Sequence, residues 1–248
     1  MIKISSLSNP LIKEYLKLHE AKERNSKKKY LIEGYHLVSE AIKNKVLLEV
    51  LISNPKDEIN NLPNYLVSDE IIKKLSKTLT PQGIIGICKM KDEEPDLSSN
   101  YLILDEIQDP GNLGTLLRSA LGFGIKNVLL ANTVDVYNDK VLRSAQGAHF
   151  YLNVQTCNLE VALQKLQNNS YYLYGTAVDK GSELTTILPK KRYGIILGNE
   201  AHGLSNLAWN FVNEVINIKT NPNLESLNVA VAGSIILYHF DMVNNKNG

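Results

Sequence analysis

A chain of 248 residues with 44% hydrophobic and 21% charged residues has the composition of one large folded domain or two smaller ones, and not of a disordered or fibrous protein. Its net charge of +1 excludes the overall positive field of a strongly basic nucleic-acid binder. Two cysteines without CxxC spacing exclude a disulfide framework and a zinc ribbon. No apolar run approaches the roughly 20 residues of a membrane span. The opening "MIKISSLSNPLIKEY" has no continuous apolar signal region, so the chain reads as cytoplasmic.

The predicted elements begin with a helix from Pro10 to about His19, opened by the Asn9–Pro10 cap and first-turn pair. Residues 1–45 carry ten Lys/Arg against five Asp/Glu, most densely in "KERNSKKKY". That cluster reads either as a solvated surface or as a phosphate-neutralising patch. Leu37, Val38, Ala41 and Ile42 share one helical face, and "VLLEVLIS" reads as a strand. Ser68 caps a short helix containing Ile71, Ile72 and Leu75, and "GIIGICKM" is a second strand. The charged, proline-bearing "KDEEPDLSSN" then reads as a seam, which predicts a small α/β domain over 1–92, a linker over 93–100 and a larger domain over 101–248.

Beyond the seam the alternation is regular. "YLILDEI" is a strand, and Leu113, Leu116, Leu117, Ala120 and Leu121 follow the spacing of an amphipathic helix. "NVLLA" is a strand, and the polar stretch to Gly147 is helical. "LEVALQKLQ" is a helix, and "YYLYGTAV", "YGIILG" and "EVINIK" are strands. A last helix runs from about Ser226 to Val243. Strands alternating with helices predict a parallel sheet covered on both faces.

Ligands in such sheets bind beyond the carboxyl ends of the strands, and three strand ends lead into polar loops. In "LDEIQDPGNLGTLLRSA", Asn112 stands at a helix start and Arg118 lies six residues on. Capping and a surface ion pair explain each singly. They do not explain why Asp109, Pro110, Gly111 and Gly114 crowd the same turn. In "ILGNEAHGLS", Gly198 permits close backbone approach, and Glu200 either opposes a cation or favours a helix dipole. In "TNPNLESLNVAVAGSIILYHF", capping by Ser226 leaves Asn228 without a structural task. "GFGIKN" lacks the third glycine of a dinucleotide loop, and the five histidines show no metal-ligand spacing, so no metal is expected.

The three loops, in this order, resemble the three motifs of the SpoU/TrmH family of RNA ribose 2′-O-methyltransferases, of the SPOUT class. "SNPLIK", "YLIEGYHLVSEAI" and "PQGIIGI" are similar to the substrate-binding domain often attached to it. The resemblance implies an α/β fold: a trefoil-knotted parallel-sheet SPOUT domain with helices on both faces, behind a small N-terminal α/β RNA-binding domain. Segments around Gly194–Ser205 and Ile216–Ala230 would form the knot. It implies S-adenosylmethionine as cofactor, with Thr176, Gly198, Ile218 and Leu227 at cofactor-contacting positions. It implies catalytic roles for Asn112, Arg118, Glu200, Ser226 and Asn228, an RNA partner that is ribosomal by family habit, and a homodimer whose active site is completed across the interface. Lys219, Thr220 and Pro222 depart from the family's cofactor loop. The competing readings are a non-catalytic RNA-binding protein that keeps the fold, and a transfer RNA ribose methyltransferase.

Overall fold

The computed structural model describes residues 1–91 and 96–246. The chain packs as two compact units, one made of Met1–Asp92 and Asp135–Phe150, the other of Glu93–Val134 and Tyr151–Gly248. Of the expected 93–100 linker, residues 93–95 lie outside the described residues.

The first unit is a five-stranded mixed sheet with helices. Its strands are β1 (Ile2–Ile4), β2 (Lys29–Glu33), β3 (Leu47–Ile52), β4 (Asn64–Val67) and β5 (Ile84–Lys89), in the order β1-β4-β3-β5-β2. β1, β4 and β3 run parallel, and β5 pairs antiparallel with both β3 and β2. The helices are α1 (Pro10–Lys17), α2 (Ala21–Lys27), α3 (Tyr35–Lys43) and α4 (Asp69–Leu75). As predicted, Asn9 caps α1 through Leu11 N at 2.9 Å, and Ser68 caps α4. On one side Ile12, Tyr15, Leu51, Ile71, Ile72 and Ile87 form a core, and on the other Tyr30, Ile32, Leu37, Val38 and Val50 form a second.

That second core also contains Leu142 and Phe150. Here the structure departs from the expected division, which assigned Asp135–Phe150 to the C-terminal domain. The segment carrying α6 (Asp139–Ala145) leaves the parallel sheet and buries its apolar face in the first unit, where Arg24 also ion-pairs with Asp135. Burying a Leu or Phe side chain is worth about 1.5–3 kcal/mol, so two such anchors favour this placement.

The second unit contains a seven-stranded parallel sheet. Its strands are β6 (Tyr101–Asp105), β7 (Asn127–Ala131), β8 (Asn153–Thr156), β9 (Tyr172–Thr176), β10 (Ser182–Glu183), β11 (Tyr193–Leu197) and β12 (Glu214–Asn217), in the order β10-β12-β9-β11-β6-β7-β8. Central β6, β7 and β11 are buried throughout, the pattern of a sheet covered on both faces. The helices are α5 (Pro110–Gly122), α7 (Leu159–Asn168), α8 (Asn206–Trp209) and α9 (Val229–Lys246). Leu159, Leu163, Leu166 and Ala208 from α7 and α8 share a core with Tyr101, Ile103 and Ile196 of the sheet. α5 and α9 pack together elsewhere on it. A Cβ at Gly233 would lie 2.5 Å from both Leu116 and Leu197 side chains, so this glycine lets α9 approach α5 and β11 closely.

The strand order brings the carboxyl ends of β9, β11, β12 and β6 side by side. These ends carry the three polar loops.

Candidate active site

The first loop begins at Asp105, the last residue of β6. Its side chain is buried, and its Oδ2 accepts from Ser205 N at 2.9 Å while Oδ1 has no hydrogen-bond partner among the described residues. Ser205 in turn caps α8 through Ala208 N. A carboxylate ending an apolar strand therefore ties the first loop to the second.

Asp109, not Asn112, caps α5: its Oδ1 accepts from Asn112 N at 2.8 Å, with Pro110 at the first helical position. Asn112 is thereby relieved of capping and its amide is spent elsewhere. Its Nδ2 donates to Glu200 Oε1 at 2.9 Å, and its Oδ1 accepts from Asn228 Nδ2 at 2.9 Å. One amide joins all three loops.

The second loop turns back on itself, with Asn199 and Gly203 exchanging two backbone hydrogen bonds of 2.9 Å. Gly203 has φ +71°, a left-handed conformation that glycine adopts without strain. At Gly198 an added Cβ would come within 2.2–2.4 Å of the Gly203 and Leu204 backbone. What approaches Gly198 is thus the protein's own turn. Asn199 pins this turn by donating from Nδ2 to Glu106 O at 3.0 Å and accepting from Ala201 N.

In the third loop the capping expectation changes. α9 starts at Val229, and its cap is Asn228, whose Oδ1 accepts from Ala230 N at 2.9 Å and Val231 N at 3.3 Å. Ser226 is exposed and makes no hydrogen bond among the described residues. Asn228 therefore does two jobs, starting the helix with its oxygen and reaching Asn112 with its nitrogen.

Between the second and third loops and the end of β9 lies a cavity of about 740 Å³, within the range of about 300–1,000 Å³ that holds small ligands and cofactors. Thr176, Gly198, Glu200, Ile218, Ser226, Leu227 and Asn228 all line it. Lys219 does not line it and is exposed, whereas its neighbours Ile218 and Thr220 do line it. Leu197, Leu204, Ile216 and Ile236 supply apolar wall, and Asp179, Glu200 and Glu225 supply negative charge. Apolar walls suit a flat heterocycle, and carboxylates suit a cationic ligand. The residues present therefore fit S-adenosylmethionine, which carries an adenine, a sulfonium and an amino-acid tail.

Asn112, Arg118 and the basic cluster contribute nothing to this lining; Asn112 touches it only through its bonds to Glu200 and Asn228. Arg118 is exposed on α5, lines no part of the cavity and has no partner among the described residues. The basic "KERNSKKKY" cluster forms α2 and the start of β2, and much of its charge is used internally. Arg24 is 6% exposed and donates to Leu18 O and His19 O in addition to its pairing with Asp135. Lys27 pairs with Glu14 at 2.9 Å and Lys29 with Glu49 at 3.1 Å. Trp209 and Lys180, which also line the cavity, were not singled out from the sequence. Neither lies in a polar cluster at a helix start.

Comparison with known proteins decides what this site belongs to. Residues 99–238 match the model of the SpoU rRNA Methylase family, and residues 9–86 match the MRM3-like substrate binding domain. The chain is 36% identical over 245 residues to the 23S rRNA (guanosine(2553)-2′-O)-methyltransferase RlmP of Bacillus subtilis, covering 96% of this chain and 99% of that one. The chain belongs to the SpoU rRNA methylase family.

Solved structures agree in fold and extent. A crystal structure of an RNA 2′-O ribose methyltransferase superposes with a TM-score of 0.84 at 28% identity, over 98% of this chain and all of that one. An rRNA methyltransferase from Sinorhizobium meliloti superposes at 0.87 and 24% identity, over 97% of each chain, which shows the shared fold. This SpoU methylase is an S-adenosylmethionine-dependent RNA 2′-O-methyltransferase. No helix among its described residues is long and apolar enough to cross a membrane, and no cluster of His, Cys, Asp or Glu among them could hold a metal ion.

Proposed function

We propose that this methylase modifies a ribose of ribosomal RNA, that its cofactor occupies the cavity between the second and third loops and the end of β9, and that Arg118 engages the target ribose and its phosphate. The observation that carries the reading is the Asn228–Asn112–Glu200 chain of hydrogen bonds. It ties the first loop to the second and third, which together with the end of β9 line a cavity containing every expected cofactor-contacting residue. The full-length similarity to RlmP supports ribosomal RNA over transfer RNA. We further infer that segments 194–205 and 216–230, both of which border the cavity, form the knot implied by the family.

Bound in the cavity, S-adenosylmethionine supplies an electrophilic methyl on a sulfonium. The protein's task is alignment. A nucleophile held about 3–3.5 Å from its target in the correct direction gains roughly 7–11 kcal/mol over a free encounter. Glu200 and Asn228, immobilised through Asn112, would hold the loops and position the ribose, with Ser226 beside them. Arginine remains protonated in proteins. Arg118 therefore binds phosphate and lowers the pKa of the 2′-hydroxyl, and phosphate or water takes the proton.

A second copy of the chain would bring Arg118 to a cavity. The α9 residues Val231, Ile235, Tyr238 and Met242 are exposed and apolar at spacings of four, three and four, which puts them on one stripe. Exposed Leu121 of α5 and the Phe123–Tyr238 ring contact, with centroids 5.7 Å apart, lie beside it. Such a stripe supports a homodimer formed through α9 and α5. The test is Arg118→Ala. Cofactor affinity should hold while methyl transfer falls at least about a hundredfold, the scale of losing one transition-state donor. Near-normal turnover would remove Arg118 from the mechanism.

A further inference from the structure

We infer that Lys180, held over the ring of Trp209, receives the carboxylate of the cofactor's methionine tail. The inference rests on the reading of the cavity as the cofactor site and adds a residue that the family motifs do not contain.

S-adenosylmethionine carries two positive groups, the sulfonium and the ammonium, and one negative group, the carboxylate. Each of these charges is favoured by a group of opposite sign placed beside it in the site. Three carboxylates line the cavity and can face the positive groups. Lys180 is the sole lysine or arginine among the described residues that line it. It forms no ion pair among the described residues, although Asp179 is its neighbour in sequence. Instead its Nζ sits 4.2 Å from the centre of the Trp209 ring, which directs the side chain while leaving ammonium protons free to donate.

The backbone beneath Lys180 is fixed as well. Asn217 Nδ2 donates to Ala177 O at 3.3 Å and to Val178 O at 2.6 Å, tying the exit of β9 to β12. On the other side Gly181 has φ +112°, and a Cβ there would meet Val215 O at 2.5 Å. Lys180 is thus bracketed by two attachments to β12. A cation pre-placed on a pinned segment loses little freedom when it meets an anion.

The test is calorimetry with two ligands, S-adenosylmethionine and 5′-methylthioadenosine, which keeps the adenosine and sulfur but lacks the amino-acid tail. Lys180→Gln should weaken S-adenosylmethionine by about tenfold or more, the scale of one charge-assisted hydrogen bond, and leave methylthioadenosine unchanged. Lys180→Arg, which keeps both charge and ring contact, should restore most of the affinity. Equal losses for both ligands, or none for either, would overturn the assignment. Ile218→Trp should exclude both ligands by filling the cavity. If both still bind that variant with native affinity, the cavity is not the cofactor site and the role of Lys180 falls with it.

Discussion

Asparagine 112 shows how much one side chain's task depends on its neighbour. With Asp109 taking the free N–H at the start of α5, the Asn112 amide can donate to Glu200 and accept from Asn228. From the sequence alone, capping and function compete for Asn112, and nothing local says that Asp109 wins the cap. The same ambiguity put Ser226 where Asn228 belongs. Ser, Asp and Asn all cap helices well, so residue type cannot choose among three candidates within a few positions. A buried group in the first unit gives a test of the packing there. His149 is buried against Tyr30 and Phe150, and burial, aided by the charge of Lys91, pushes its pKa down to about 3. In the unfolded chain it titrates near 6.5. Between those values the unfolded state binds the extra proton, so stability is full above pH 6.5 and is lost as pH falls toward 3, by about 1.4 kcal/mol per unit. His149→Phe keeps a ring in place and removes this loss. Urea midpoints of the variant, taken relative to wild type, should rise as pH drops from 6.5 to 4. A constant difference would contradict the burial of a neutral imidazole.

Helices and strands differed in how plainly the sequence announced them. α5 and the buried strands β6, β7 and β11 were legible because apolar spacing and continuous apolar runs are strong signals. β1, β2, β4 and β8 were not, since each is three to five residues long and none is a continuous apolar run. α2 was hidden inside a lysine-rich stretch whose one buried cation, Arg24, cannot be told from its exposed neighbours by composition. α6 was foreseen as a helix but not as part of the first unit, because its partners in that core lie about a hundred residues earlier. α9 carries the clearest prediction among the elements. Replacing Ile235 and Tyr238 with glutamate places charge in the middle of its exposed apolar stripe; if the proposed dimer forms there, sedimentation equilibrium should report a dimer for the native chain and a monomer for the variant. A dimer unchanged by both substitutions would show that this stripe is not the contact surface.

The molecule as a whole divides its labour between a parallel sheet whose strand ends gather three polar loops and a mixed-sheet unit that matches a substrate-binding domain. The architecture and the chemistry were legible together because the loops recur in a fixed order, each at the end of an apolar strand. The excursion of Asp135–Phe150 into the first unit was not, since the seam in composition marks where the chain changes character and not where it later returns. Arg118 remains apart from the cavity in a single chain, which is why its assignment rests on a second copy. The most direct test supplies purified protein with ribosomal RNA and S-adenosylmethionine labelled in its methyl group, then digests the RNA to nucleosides for mass spectrometry. The label should appear on the 2′-oxygen of a single nucleoside. Label on a base, or cofactor bound tightly with no label transferred to RNA, would contradict the account.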